Sequence, residues 1–212
     1  MALYREYLKY DYENDDAYCY IGECYLNMAR YKMALRNFTK ACHLNPLNDI
    51  AWFSAGLIQW MNGNLDESIR LIRSAINAEG GNSEYWFTLG RVLTEAGYEN
   101  EVRQALNKAT SLMPSNADIW IFYAKYLHNK GETDGAITVL KKANRLNKKN
   151  ASIKYYLAAY LLEKNQETEA FGQLKKALIL DFSLHDNLFS AFPKAAKIDS
   201  VKKLIKAYKP HK

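Results

Sequence analysis

The chain has 212 residues, of which 49% are hydrophobic and 25% are charged, a composition typical of a folded chain and not of a disordered one. No apolar run approaches the roughly 18–20 residues that a membrane span requires, and the first residues lack the apolar core of a signal peptide. The net charge of +6 combines −5 over residues 1–102 with +11 over residues 103–212.

Residues 1–14 contain a short apolar stripe formed by Tyr4, Tyr7 and Leu8, whose spacing places them on one face of a helix. We predict a single helix over residues 2–13.

From residue 15 onward, the sequence repeats with a period of 34 residues. Trp52, Trp86 and Trp120 are spaced by this period, and Tyr18 stands one period before them. The same interval relates five alanines, which are Ala41, Ala75, Ala109, Ala143 and Ala177. Several interleaved series with one period indicate a tandem array of similar structural units.

Each period contains two apolar stripes separated by a break. In the first period, Tyr18, Gly22 and Tyr25 share one helix face, and Ala34, Phe38 and Ala41 share another. The break holds a glycine in the three middle periods, namely Gly63, Gly97 and Gly131. Because glycine adopts positive φ at little cost, it ends a helix readily. Each unit is therefore predicted to be two antiparallel helices joined by a tight turn.

A series of asparagines precedes the first helix of every unit. Its members, also 34 residues apart, are Asn14, Asn48, Asn82, Asn116 and Asn150. Asparagine is among the best N-cap residues, because its side-chain oxygen accepts a hydrogen bond from an unpaired backbone N–H. The series places five units at residues 15–48, 49–82, 83–116, 117–150 and 151–184.

The first unit presents, in order, Tyr18, Ile21, Gly22, Tyr25, Ala34, Phe38, Ala41 and Pro46. This order resembles the pattern W-x2-L-G-x2-Y, A-x3-F, A and P of the tetratricopeptide repeat (TPR) family. The fifth unit is the most degenerate, with Lys154 in the position of the tryptophan. The resemblance implies an all-α fold, a right-handed α-solenoid of antiparallel helix pairs, and a protein–protein interaction scaffold that is not an enzyme.

The two ends depart from the repeat. Residues 1–14 resemble the second helix of a unit whose first helix is missing. We therefore expect the chain to be cut from a longer array. The alternative is that these residues form a natural capping helix. Residues 185–212 are expected to form C-terminal capping helices. The last of these is predicted to turn Val201, Leu204 and Ile205 inward and its lysines outward.

The sequence contains no pattern typical of catalysis, of metal binding or of a cofactor. His43, His128, His185 and His211 form no zinc-binding motif, and three cysteines without C-x-x-C spacing favour reduced thiols in a cytoplasmic protein. We therefore predict no catalytic residue, no metal and no cofactor.

In the family, the positions one, five, eight and nine residues after the tryptophan position line a concave groove that holds a partner peptide or helix. The groove residues implied here are Glu23, Asn27, Phe53, Leu57, Trp60, Met61, Phe87, Arg91, Ile121, Lys125, His128 and Tyr155. Trp60 lies outside the tryptophan series, so it is either a binding anchor or a packing residue between units. Arg91 and Lys125 recur at one position and are suited to an acidic group of a ligand.

Other interpretations remain open. The basic C-terminal half could bind nucleic acid or an acidic partner, although a solvated helix face is favoured and no membrane contact is expected. The array could also be the targeting arm of a longer enzyme. Gly80 and Gly81 form either a loose joint between two units or an ordinary turn.

Overall fold

The protein is described by a computed structural model that covers residues 2–210, without the side chains of Arg5 and Tyr7. His211 and the predicted contribution of Tyr7 to the first apolar stripe therefore lie outside the described residues. Within residues 2–210 every regular element is a helix, and no strand occurs. The predicted all-α fold of antiparallel helix pairs is confirmed. The chain divides into two compact units, Met1–Leu112 and Met113–Lys212.

Unit 1 contains a short helix followed by three helix pairs. Its helices are α1 (Ala2–Tyr7), α2 (Asp15–Asn27), α3 (Tyr31–Leu44), α4 (Asp49–Met61), α5 (Leu65–Ala78), α6 (Ser83–Ala96) and α7 (Glu99–Leu112). The prediction of a helix over residues 2–13 is wrong in its extent, because α1 ends at Tyr7 and turns follow it. The ring of Tyr4 stacks on that of Tyr20, with centroids 5.0 Å apart, and this contact attaches α1 to α2.

Unit 2 contains two helix pairs and a C-terminal segment. Its α-helices are α8 (Ala117–Asn129), α9 (Thr133–Leu146), α10 (Ala151–Glu163), α11 (Glu167–Leu180), α12 (Asp186–Ala191) and α13 (Asp199–Ala207). Two short 3-10 helices, Phe182–Leu184 and Pro193–Lys197, flank α12. In α13, Val201 is fully buried and Lys202, Lys203 and Lys206 are exposed, as the amphipathic pattern predicts, whereas Leu204 and Ile205 are only half-buried. Leu188 of α12 is also fully buried.

The helix ends follow from the residues that the period places there. All five asparagines of the series cap a first helix, each with its side-chain oxygen accepting a backbone N–H; Asn48, for example, accepts from Ala51. Gly63, Gly97 and Gly131 have φ near +80°, which ends the first helix of their pairs. Ala29 and Asn165 adopt φ of 55° and 57° at the same position in the first and last pairs.

Three tryptophans, Trp52, Trp86 and Trp120, each fasten the loop that precedes their helix to that helix. The indole Nε1 of Trp52 donates to the carbonyl of Pro46 at 2.9 Å, and Trp120 makes the same contact with Pro114 at 3.0 Å. Trp86 donates to the carbonyl of Gly80 at 2.9 Å, so the Gly80–Gly81 loop carries the same contact as the proline loops. Neither glycine of that loop has positive φ.

We expect Asn116→Ala to lower the free energy of unfolding by about 1 kcal/mol, because Asn116 caps α8 by accepting from the N–H groups of Asp118 and Ile119. Urea denaturation followed by circular dichroism measures the change. Asn129→Ala, at an exposed position that ends the same helix, is the matched control. Equal stability of the two variants would contradict the capping role.

The three cysteines are free, and two of them, Cys19 and Cys42, are buried. Burial raises the pKa of each of these two thiols to about 12. Their folded pKa lies above that of an unfolded thiol, so the stability they contribute is present below about pH 9 and is lost as the pH rises toward 12.

At pH 8 we expect Ellman's reagent to modify Cys24 first, and Cys19 and Cys42 only after unfolding. Rapid modification of all three thiols in the native protein would contradict this.

Candidate functional site

The predicted groove residues lie on the first helices of the pairs, which are α2, α4 and α6 in unit 1 and α8 and α10 in unit 2. Groove positions on one helix are related by intervals of three or four residues, with Met61 four residues after Leu57, so they share one face. The side chains at this face differ widely in exposure. Their contacts decide which of them are available to a partner.

The most developed cluster in unit 1 is centred on Trp60 of α4. The Trp60 indole Nε1 donates to a carboxylate oxygen of Glu95 on α6 at 2.7 Å. The Arg91 guanidinium lies 4.5 Å from the Trp60 ring centroid and 5.8 Å from that of Phe87. Phe87, Arg91 and Glu95 are spaced by four residues along α6, so one face of that helix supplies all three. We name Trp60, Met61, Phe87, Arg91 and Glu95 the Trp60 cluster.

The Trp60 cluster combines apolar surface with charge and is open to solvent. Met61 is 59% exposed, and Arg91 and Glu95 are also exposed. Trp60 and Phe87 are half-buried, as is Leu57, one turn before Trp60. An aromatic ring whose edge and face are held by charged groups is a rigid contact surface, since little side-chain entropy remains to be lost on binding.

Two other predicted groove residues of unit 1, Phe53 and Glu23, lie outside the Trp60 cluster. Phe53 is only 8% exposed, and its ring packs 4.4 Å from that of Tyr85. The Tyr85 hydroxyl donates to Asp49 at 2.6 Å, and burial together with this carboxylate raises the pKa of Tyr85. Phe53 therefore joins α4 to α6 and offers little surface. On α2, Glu23 is half-buried and Asn27 is exposed.

In unit 2, His128 occupies the position that Trp60 holds in unit 1. Its Nε2 lies 2.6 Å from a carboxylate oxygen of Glu163, and its ring stacks on Tyr160 with centroids 4.4 Å apart. The pairs Trp60–Glu95 and His128–Glu163 thus repeat one contact at positions 68 residues apart. Burial raises the pKa of Tyr160.

The other predicted groove residues of unit 2 differ in their exposure to solvent. Lys125 is exposed, with its amine 5.9 Å from the centroid of the Tyr156 ring, and Ile121 is half-buried. Tyr155 is fully buried, and its hydroxyl donates to the carbonyl of Asp181 at 2.8 Å. Burial, with the nearby charge of Asp181, raises its pKa to about 12. Because Tyr155 presents no surface, it is not available to a partner.

The acidic partners in these contacts were not paired by sequence analysis. The motif positions place Glu95 and Glu163 on the groove face, but nothing in one repeat shows that they accept from the preceding repeat. A signal was present in the spacing: a donor and a carboxylate 35 residues apart occur twice, as Trp60–Glu95 and His128–Glu163.

Among residues 2–210, no grouping of histidine, cysteine and carboxylate side chains could hold a metal ion. No helix in the same range has the length and apolar character needed to cross a bilayer.

Residues 64–180 match the family described as the cytochrome c-type biogenesis protein H TPR domain, which is more than half of the chain. Residues 25–84 match a family described as tetratricopeptide repeat. No curated protein matches the chain in sequence.

Solved structures with the same fold cover nearly the whole chain. YrrB, described as a TPR protein with an unusual peptide-binding site, has a TM-score of 0.70 at 18% identity, over 92% of this chain and 98% of its own. MamA has a TM-score of 0.67 at 19% identity, over 87% and 95%. PilF of Pseudomonas aeruginosa has a TM-score of 0.60 at 17% identity, over 92% and 96%. At these identities the likeness shows a shared fold.

Proposed function

Because the chain belongs to the tetratricopeptide repeat family, we propose that it is a scaffold that binds a peptide or helical segment of a partner protein on the groove face of its first helices. In unit 1 this face is the Trp60 cluster with Leu57. Unit 2 has a corresponding face of its own, which contains Ile121, Lys125 and His128. Glu23 and Asn27 extend the proposed face onto α2.

The observation that best supports this proposal is the set of contacts that Trp60 makes with α6. The core tryptophans of the repeats donate to loop carbonyls next to their own helices, whereas Trp60 reaches across to Glu95 and Arg91 on the following first helix. Next to it, the apolar side chain of Met61 is 59% exposed. Aromatic and arginine side chains of this kind dominate the energetics of protein interfaces.

The composition of the face also indicates what it would bind. Apolar groups at Leu57, Met61 and Phe87 suit an apolar side chain of a partner segment, and Arg91 suits a carboxylate beside it. YrrB is described as having an unusual peptide-binding site, and this supports the same kind of ligand for this chain. The family match and the similar structures do not favour nucleic acid, so that alternative stays a prediction, as does the cytoplasmic location.

Peptides selected from a random linear library against the whole chain test the function. We expect selected peptides to pair an apolar residue with a carboxylate, and Arg91→Ala to weaken their binding about tenfold, since a charge-assisted hydrogen bond contributes on the order of 1.5 kcal/mol. Arg36→Ala, which removes an exposed arginine from α3, is the matched control and should bind as the unaltered chain does. Failure to select any peptide, or equal losses in both variants, would reject the proposal.

A further inference from the structure

Lys154 breaks the repeat at a position where the neighbouring repeats need a large ring. Tryptophan stands 34, 68 and 102 residues earlier, at Trp120, Trp86 and Trp52. Each of these indoles lies against the loop that precedes its helix, because its Nε1 donates to a carbonyl of that loop. A lysine side chain is narrower than an indole and makes no such contact. The corresponding space in the fifth repeat is therefore only partly filled.

A pocket of about 500 Å³ opens at this place. Its walls come from the end of α9, the loop after it, the start of α10 and the second half of α11. We name it the Lys154 pocket; it is lined by Asn144, Arg145, Lys148, Lys154, Lys176, Ile179 and Leu180. Four of these seven residues are cationic and none is acidic.

The cations of the pocket lack the carboxylate partners that other cations of unit 2 have. Lys141 pairs with Glu169 at 2.8 Å, and Lys164 pairs with Asp134 at 2.8 Å. Within the described residues, no carboxylate lies within ion-pair distance of Arg145, Lys148 or Lys176. A concave surface with one sign of charge and low-dielectric walls concentrates the field that attracts an oppositely charged ligand.

Lys154 itself is held in place at the base of this surface. It is only 5% exposed, and its amine donates to the side-chain oxygen of Asn144. The Asn144 amide nitrogen donates in turn to Gln173, which fixes the orientation of the oxygen. Burial, and then the charge of Lys176, lower the pKa of Lys154. A buried cation that lacks a counter-ion is costly, and an anion in the pocket would offset that cost.

We propose that the Lys154 pocket binds the phosphate group of a small molecule, with Lys154 and Lys176 as its central contacts. Phosphate offers several strong acceptor oxygens to converging cations, and the planar guanidinium of Arg145 can contact two of them. Beside the cations, Ile179 is 69% exposed and Leu180 is 42% exposed, so an apolar part of the ligand has surface to cover. A free phosphate ester and a phospholipid headgroup share this chemistry.

Calorimetric titration of the whole chain with pyrophosphate tests the site. We expect saturable binding to one site, weakened about tenfold in Lys176→Gln, because each charge-assisted contact contributes on the order of a factor of ten. Lys175→Gln is the matched control: it makes the same charge change at the adjacent exposed residue, which does not line the pocket. Its affinity should be unchanged.

Two substitutions of the buried Lys154 separate the contribution of its charge from that of the shape of the pocket. Lys154→Met keeps the length of the side chain without its charge and should weaken binding about tenfold, as Lys176→Gln does. Lys154→Trp restores the ring of the other repeats and should close the pocket, so that binding is lost while helicity is kept. If either variant fails to fold, Lys176→Gln against Lys175→Gln still decides the outcome, because both residues are exposed.

A second titration distinguishes the source of the phosphate. Phosphatidylcholine vesicles that contain phosphatidic acid should bind only if a lipid headgroup reaches the pocket. In that case pyrophosphate should displace the vesicles from the protein. If pyrophosphate binds and the vesicles do not, the ligand is a soluble molecule. The proposal is overturned if neither probe binds saturably. It is also overturned if Lys175→Gln loses as much affinity as Lys176→Gln, or if only a polynucleotide binds, with both variants affected equally, since diffuse surface charge would then explain the binding.

Discussion

Phe38→Ala is expected to lower the free energy of unfolding by about 3–5 kcal/mol, because Phe38 is fully buried where α2 meets α3. The ring belongs to a cluster that also contains Ile21, Tyr25 and Ala34. Its removal leaves a cavity that close-packed helix pairs cannot refill without shifting backbone. Urea denaturation measures the loss. Leu47→Ala, which truncates a side chain that is 75% exposed, is the control and should be nearly neutral.

The partner of Phe38 is Gly22, and the pair makes a sharper test. A Cβ atom at Gly22 would lie 2.8–3.0 Å from three ring carbons of Phe38, and that ring is fully buried. Gly22→Ala should therefore destabilise the unaltered chain. In a Phe38→Ala chain the same change should stabilise by up to about 1 kcal/mol, since alanine favours helix over glycine. The same sign in both backgrounds would contradict the close approach of α2 and α3.

Trp60→Ala is expected to weaken binding of a selected peptide at least about 30-fold, which corresponds to the roughly 2 kcal/mol that separates hot spots from other interface residues. The truncation removes the ring on which Arg91 lies and the donor to Glu95. Both charged side chains then lose their fixed positions, so an apolar contact and the orientation of the charges disappear together. Fluorescence anisotropy with a labelled peptide measures the loss.

The loss must be separated from unfolding and from any general effect of removing an aromatic side chain. Trp60 is half-buried, so we expect the circular dichroism spectrum of Trp60→Ala to match that of the unaltered chain. Tyr98→Ala is the matched control, because Tyr98 is an exposed aromatic residue that contacts Asp66 and is not part of the Trp60 cluster. Equal losses in the two variants would exclude a specific role for Trp60. Phe53→Ala is not informative here, since Phe53 packs against Tyr85.

Most of the fold could be predicted from the sequence, because the features that shape it recur in every repeat. The asparagine caps and the glycines with positive φ each have a local physical cause, and the period multiplies the signal. Exceptions lie either outside the array or at positions where one repeat departs from the period. The predicted helix over residues 2–13 ends at Tyr7, and Ala29 and Asn165 adopt positive φ without being glycine.

The candidate site was harder to predict, because it depends on contacts between repeats. Motif positions place Trp60, Phe53 and Tyr155 on one face, but they do not state how much of each side chain its neighbours cover. Tyr155 is covered completely and Phe53 almost completely, whereas Trp60 keeps surface and gains Glu95 as a partner. Lys154 was noted only as a degenerate residue; the pocket beside it requires the positions of α9 and α11.

A partner peptide is expected to bind on the groove face and not on the side of the core tryptophans. The chain has four tryptophans, so its indole N–H groups give four cross-peaks in a nitrogen–proton correlation spectrum. Three of these groups donate to the carbonyls of Pro46, Gly80 and Pro114, and that of Trp60 donates to Glu95. On titration with a selected peptide, we predict that the Trp60 cross-peak shifts while the other three stay in place. Shifts at Trp52, Trp86 or Trp120 with an unmoved Trp60 would contradict the claim.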